Sequence, residues 1–132
     1  MNHPVLIVED DEDIRESLMD LLEDHGYLPI GACDGREALD KLGASKQLPC
    51  VIVLDLMMPV MDGVTFREEQ LRNPLLSGIP IIVISAYKDT PDTANTLNAN
   101  SHLPKPINLK AFLQVVKEHC PHEASPGGAL PS

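Results

Sequence analysis

The stretch Val5-Leu6-Ile7-Val8-Glu9-Asp10-Asp11-Glu12-Asp13-Ile14 decides how the rest of the chain is read. Four consecutive aliphatic residues form a short strand with no polar alternation, and such a strand must bury both of its faces. Five consecutive acids end it. Ile14, Leu18, Leu21 and Leu22 then recur at the i, i+4, i+7, i+8 spacing of one helical face, closed by Gly26. A strand buried on both sides and followed at once by an amphipathic helix is the repeating unit of a parallel α/β sheet.

Working outward, the unit recurs. Residues 27–33 read as a weaker strand, and Pro29 and Gly31 place it at a sheet edge. A short helix over 35–42 ends at Gly43. Val51-Ile52-Val53-Leu54 is the clearest strand and precedes a helix that starts near Gly63, with Asp62 as its N-cap. Ile81-Ile82-Val83-Ile84 is the fourth strand, and a short fifth falls near residues 101–103. Leu109, Phe112, Leu113 and Val116 mark a last helix capped by Asn108. Between the last two strands, Thr90-Pro91 opens a helix, but Thr93, Asn95 and Thr96 are poor helix formers. That helix, over 88–98, is expected to be short or mobile. Five strands alternating with five helices imply a doubly wound parallel sheet covered on both faces. The pattern stops near His119, so the expected organisation is one domain over residues 1–120 and a flexible Pro/Gly-rich tail over 121–132.

Composition narrows the function. Twenty Asp and Glu against ten Lys and Arg give a net charge of −10 over 132 residues, which argues against binding a nucleic-acid backbone. The apolar runs at 50–54 and 79–84 are far shorter than the roughly 20 residues that span a bilayer. No charged and apolar leader opens the chain. Cys33, Cys50 and Cys120 form no CxxC pair and no even framework. A reduced, cytoplasmic protein is therefore expected.

Ligands of open parallel sheets gather at the carboxyl ends of the strands. Glu9, Asp10 and Asp11 follow the first strand, Asp55 the third, Ser85 the fourth and Lys105 the fifth. Two carboxylates about 4 Å apart repel by roughly 4 kcal/mol at an effective dielectric near 20, so a cation is needed among them. An all-oxygen site of this kind suits Mg²⁺, with Mn²⁺ as a substitute. Lys105 adds a fixed positive charge for an anion, and the Ser85 hydroxyl can donate to a phosphate oxygen. The set looks built to make Asp55 a phosphoryl acceptor. Asp11, Glu12 and Asp13 read instead as helix-start charges favoured by the macrodipole, and Pro59 and Gly63 as residues that shape the loop after Asp55.

The blocks VLIVEDDEDIR, VIVLDLMMPVMDG, VISA and LPKP resemble the four signature blocks of response-regulator receiver domains of bacterial two-component signalling, of the kind typified by chemotaxis regulators. The resemblance covers about residues 4–120. It implies a flavodoxin-like fold with strand order 2-1-3-4-5, Asp55 as phosphorylated aspartate and Asp10 as direct Mg²⁺ ligand. Glu9 would act on the metal mainly through water, and Met57 would offer its backbone carbonyl. Ser85 would be the switch hydroxyl, Lys105 the phosphate-contacting amine, and the Lys105-Pro106 bond cis. The implied partners are a histidine kinase or histidine phosphotransfer protein and an effector. The effector would dock on the face formed by the 88–98 helix, the fifth strand and the last helix. A monomer or a phosphorylation-dependent dimer, with no contact to nucleic acid or membrane, completes the expectation.

Two departures stand out. His102 occupies the place of the usual switch Tyr or Phe, and Asn98 stands where Gly is common. Ala86 leaves access to the acceptor open, and Tyr87 and Met57 border it. His119, Cys120 and His122 could in principle ligate zinc, but a cationic His119 at a helix C-terminus is the ordinary account. The resulting function is a binding switch that catalyses its own phosphorylation and slow dephosphorylation and is not a turnover enzyme. A phosphate sink without an effector is the alternative. An aspartyl-phosphate phosphohydrolase is disfavoured because Met57 cannot serve as its acid/base, and no GxxxxGK[ST] loop supports a nucleotide switch.

Overall fold

The structure, a computed structural model, describes residues 4–56, 61–85 and 99–120. In chain order the elements are β1 (Pro4–Val8), α1 (Glu12–Asp24), β2 (Leu28–Ala32), α2 (Gly35–Ala44) and β3 (Val51–Asp55). They continue with α3 (Gly63–Arg72), β4 (Ile81–Ser85), β5 (Ser101–Pro104) and α4 (Leu109–His119). The strands form one parallel sheet in the order β2-β1-β3-β4-β5. The edge position expected for residues 27–33 is met by β2. Four helices flank the sheet among the described residues; the helix expected over 88–98 and the tail at 121–132 lie outside them.

Strand alternation sorts the core into two layers. Val5 and Ile7, Val51 and Val53, and Ile82 and Ile84 pack with Leu18 and Leu22 of α1 and Phe112 and Val116 of α4. Leu6 and Val8, Ile52 and Leu54, and Ile81 and Val83 pack with Ala38 and Leu42 of α2 and Phe66 of α3. The period of two along a strand sends neighbouring side chains to opposite layers. It is the reason the strands show no polar alternation in sequence.

Each described helix opens on a side-chain cap. Asp11, Asp34, Asp62 and Asn108 accept from the backbone N–H of Ile14, Glu37, Thr65 and Ala111 at 3.2, 2.8, 2.8 and 3.0 Å. Asp11 to Asp13 thus serve the helix start, as expected from their charge. Gly26 ends α1 in the left-handed region at φ 87°, which only glycine enters without a steric cost. Gly43, by contrast, is inside α2, which runs on to Ala44.

The expectation for the cysteines is corrected. A disulfide joins Cys50, just before β3, to Cys120, just after α4, with a Cα–Cα distance of 5.4 Å. The two are 70 residues apart in sequence, and only the packing of α4 against the sheet brings them together. The pairing also withdraws Cys120 from any zinc set, while His119 ends α4 with Nε2 3.2 Å from the Ser101 hydroxyl. Cys33 is free and exposed. Among the described residues no helix is long and apolar enough to cross a membrane.

Candidate functional site

The register of β1 and β3 builds the centre of the site. Val8 pairs with Leu54, so the next residues, Glu9 and Asp55, come out side by side at the carboxyl ends of two adjacent strands. Chain direction reverses its course across the sheet between these two strands, since β2 lies outside β1 and β4 outside β3. Open parallel sheets hold their ligands at such a switch point. By strand alternation both carboxyls face the α1/α4 layer. Glu9 and Asp55 are 0% and 1% exposed, whereas Asp10 stands in solvent at the rim. One oxygen from each of the three lies within 4.8 Å of the others.

Lys105 is the cation that faces them. Its Nζ lies 3.2 Å from Asp55 Oδ2 and 3.3 Å from Glu9 Oε1. The lysine is held by its backbone, whose N–H donates to the Ser85 carbonyl at 2.8 Å, and the Lys105-Pro106 bond is cis. Burial pulls the ammonium toward neutrality, but the carboxylates of Asp55 and Glu9 outweigh it and the net direction is up. Lys105 therefore stays charged.

Glu9 carries the strain of the arrangement. Burial, aided by the hydrogen bond to Asp55, pushes its carboxyl up to about 8. Its Oε2 accepts from the Asp11 N–H at 3.1 Å. Its Oε1 is buried without a hydrogen bond, although it lies within ion-pair distance of Lys105. Three acids facing one lysine leave an excess of negative charge, and an orphaned carboxylate oxygen points into it. These hard oxygen donors fit a small divalent cation such as Mg²⁺; a proton on Glu9 otherwise takes up part of the charge.

Ser85 and His102 lie apart from the acids. Ser85 ends β4 with the parity of Ile81 and Val83, on the opposite side of the sheet from Asp55, which pairs with Ile84. Its hydroxyl, 1% exposed, sits 2.5 Å from Nε2 of His102. His102 pairs with Val83 across the β4/β5 ladder, so the two polar side chains meet on the diagonal. Met57, Pro59, Ala86 and Tyr87 lie outside the described residues.

Two further groups support the site. Arg15, one turn into α1, donates to the Glu9 carbonyl at 2.8 Å and braces the backbone that carries the acid. Gly63 brings α3 so close that a Cβ there would stand 2.8 Å from the Asp55 carbonyl oxygen and from Leu56 Cα. The sequence points to Gly63 as a residue that shapes the segment after Asp55, whereas nothing in it marks Arg15.

The family model for the response regulator receiver domain matches residues 5–117. The chain belongs to that family. It is 39% identical over 111 residues to the response regulator MprA of Mycolicibacterium vanbaalenii, covering 83% of this chain and 46% of that protein. A 14.6 kDa protein of Leptolyngbya boryana is 32% identical over 118 residues, covering 88% of each. Among solved structures, chemotaxis protein CheY4 of Vibrio cholerae superposes with a TM-score of 0.81 at 30% identity, covering 90% of this chain and 99% of that one. The receiver domain of a signal transduction histidine kinase from Syntrophus aciditrophicus reaches 0.78 at 31% identity, covering 88% of both. This receiver domain therefore spans about half the length of MprA and 88–99% of the other three chains.

Proposed function

We propose that this receiver accepts a phosphoryl group on Asp55 from a histidine kinase or histidine phosphotransfer protein, in a Mg²⁺-dependent reaction, and thereby switches partner binding. The observation that carries the proposal is the Asp55 carboxylate. It is buried at a strand end, backed by the Lys105 ammonium at 3.2 Å and flanked by the oxygens of Glu9 and Asp10. An Asp55 oxygen attacks the phosphorus of a phosphohistidine as the P–N bond breaks, and the electron pair leaves on the donor's imidazole nitrogen. Lys105 follows the negative charge from the carboxylate to the phosphoryl oxygens, and the Ser85 hydroxyl donates to one of them. Glu9, Asp10 and Asp55, with the Met57 carbonyl, would hold the metal, which supplies neutralisation of oxygen charge when bound. Self-catalysed hydrolysis of the acyl phosphate resets the switch, so the domain is a phosphoacceptor and not a turnover enzyme. The effector face is assigned to the 88–98 segment, β5 and α4. A histidine kinase or phosphotransfer donor acts in the cytoplasm, and the reaction is assigned there.

Intact-mass measurement with acetyl phosphate and Mg²⁺ tests the reading. One phosphoryl adduct is expected, absent with EDTA and absent in Asp55→Ala. Equal labelling of Asp55→Ala would overturn it.

A further inference from the structure

The disulfide lies at the end of the sheet opposite Asp55, and the acceptor chemistry makes no use of it. Cys50 immediately precedes β3, the strand that Asp55 ends, and Cys120 follows the last turn of α4. In the cytoplasm, small thiols keep cysteines reduced, and the disulfides found there are as a rule transient, catalytic or redox-sensing. We propose that Cys50 and Cys120 are a reversible thiol–disulfide pair, modified by low-molecular-weight disulfides that enter through Cys50, and that the bond fastens or frees the end of α4. The proposal goes beyond the phosphoacceptor reading and stands without it.

Both states of the pair have a place in the fold. Cys50 Sγ lies 3.3 Å from the Pro4 carbonyl oxygen, so the reduced thiol has an acceptor for its hydrogen. The same carbonyl accepts the Cys50 N–H at 3.0 Å, which holds the residue in either oxidation state. Cys120 is 1% exposed within the apolar layer of α1 and α4, where a thiol packs as a small apolar side chain. Its N–H donates to the Val116 carbonyl at 2.8 Å, and its carbonyl accepts from the Tyr27 hydroxyl at 3.3 Å. Reduction therefore strands no polar group.

The two sulfurs differ in access, since Cys50 is half-buried and Cys120 buried. An external reagent meets Cys50 first. The Cys50 thiolate attacks one sulfur of the small disulfide, whose S–S bond breaks, and a thiol departs with the electron pair. Cys120, deprotonated, then attacks the Cys50 sulfur of the mixed disulfide and displaces the second thiol. Two protein thiols are oxidised, one small disulfide is reduced to two thiols, and those thiols take up the two protons. A small thiolate attacking Cys50 runs the sequence backwards. The disulfide forbids any opening that lifts the last turn of α4 away from β3, and the dithiol permits it.

Glutathione and its disulfide are the probes, with no metal or phosphodonor present, so the outcome is independent of the acceptor reading. The full chain carrying Cys33→Ser, which removes the free exposed thiol, is equilibrated in buffers from fully reducing to fully oxidising. Alkylation in denaturant and intact mass then count the thiols, and the same midpoint should be reached from both directions. A disulfide that survives the most reducing buffer, or a dithiol that survives the most oxidising one, overturns the proposal. In the same background, native Cys120→Ser should take up one glutathione at least about tenfold faster than native Cys50→Ser, whose remaining thiol is buried. Equal rates overturn entry through Cys50. Hydrogen exchange needs no variant of the pair: in the reduced parent, the amides of residues 116–120 should exchange at least about tenfold faster than in the oxidised parent. Those of α2, outside the closed loop, should change less, and a uniform change throughout the molecule overturns the clamp on α4.

Discussion

With divalent metal chelated, the protein should lose stability as the pH rises, and Glu9 should account for the loss. The Glu9 carboxyl has an ordinary value of 4.5 when the chain is unfolded and is pushed up to about 8 in the fold, by burial first and by the hydrogen bond to Asp55 second. Between those values the folded state holds a proton that the unfolded state has released. Stability is therefore full below the unfolded value and declines as the pH climbs through the folded one. Moving one carboxyl from 4.5 to about 8 corresponds to a loss of about 4–5 kcal/mol across that window. That is a large share of the roughly 5–15 kcal/mol that holds a domain together. Glu9→Gln keeps the shape and the neutral state but cannot ionise, so its stability should stay nearly flat over the same range.

Urea denaturation in EDTA, from about pH 5 to about pH 9, measures the difference between parent and variant, which cancels every other titrating group. Mg²⁺ acts in the opposite sense, because it requires the ionised carboxylate. At high pH and about 100 times its dissociation constant it should return roughly 2.7 kcal/mol to the parent and much less to Glu9→Gln. Parallel pH curves for parent and Glu9→Gln would refute the reasoning, since the buried carboxyl would then carry no proton that the unfolded chain lacks.

Two further outcomes follow from the fold. The disulfide closes a loop of 70 residues. Its reduction, or Cys50→Ser with Cys120→Ser, should lower stability by about 4 kcal/mol in the chain-entropy account, read as a drop in Tm with and without dithiothreitol. At Gly63 an added Cβ would sit 2.8 Å from two backbone atoms of the Asp55–Leu56 segment, which cannot swing aside. Gly63→Ala should therefore cost about 1–3 kcal/mol and slow labelling of Asp55 by acetyl phosphate. A labelling rate equal to that of the parent would show that the acceptor backbone does not depend on this approach.

The features legible in the sequence were those carried by local pattern. Val5 to Val8 and Val51 to Leu54 announced strands buried on both faces, and the residues that follow such strands had to emerge at one edge of the sheet. Glu9, Asp55 and Lys105 can therefore be named together from the sequence, and the structure brings Lys105 within ion-pair distance of both acids. What stayed hidden depends on non-local packing. Cys50 and Cys120 meet only because α4 packs in the same core layer as Val51 and Val53 of β3. Arg67 and Gln70 look like the polar face of a solvated helix, yet both are buried. Gln70 donates to the carbonyls of Leu76 and Ile79 at 2.8 and 3.1 Å, pinning the turn that leads into β4. His102 was visible as a departure from the family pattern, but its partner was not. Its contact with Ser85 depends on a diagonal between two strands whose register the sequence does not state.

That diagonal bears on how a site on one side of a sheet can be felt on the other. Glu9 and Asp55 share the face of α1 and α4, whereas Ser85 and His102 share the opposite face. Asp55 and Ser85 are separated by a single step along the ladder, because Asp55 pairs with Ile84 and Ser85 is the next residue. Ile84 is packed in a fully buried layer and has no room to move as a lever, since close-packed cores resist graded deformation. The backbone at the end of β4 is also tied to the site, through the Ser85 carbonyl that holds the Lys105 N–H. The end of β4 is thus tied to the Asp55 site in two ways, by the Lys105–Ser85 backbone bond and by the single ladder step to Ser85, whose side chain can turn about one bond. Rotation about one side-chain bond is a far smaller change than the displacement of a packed strand. On the proposed phosphoacceptor reading, turning the Ser85 side chain is therefore the change that asks least of the packed core.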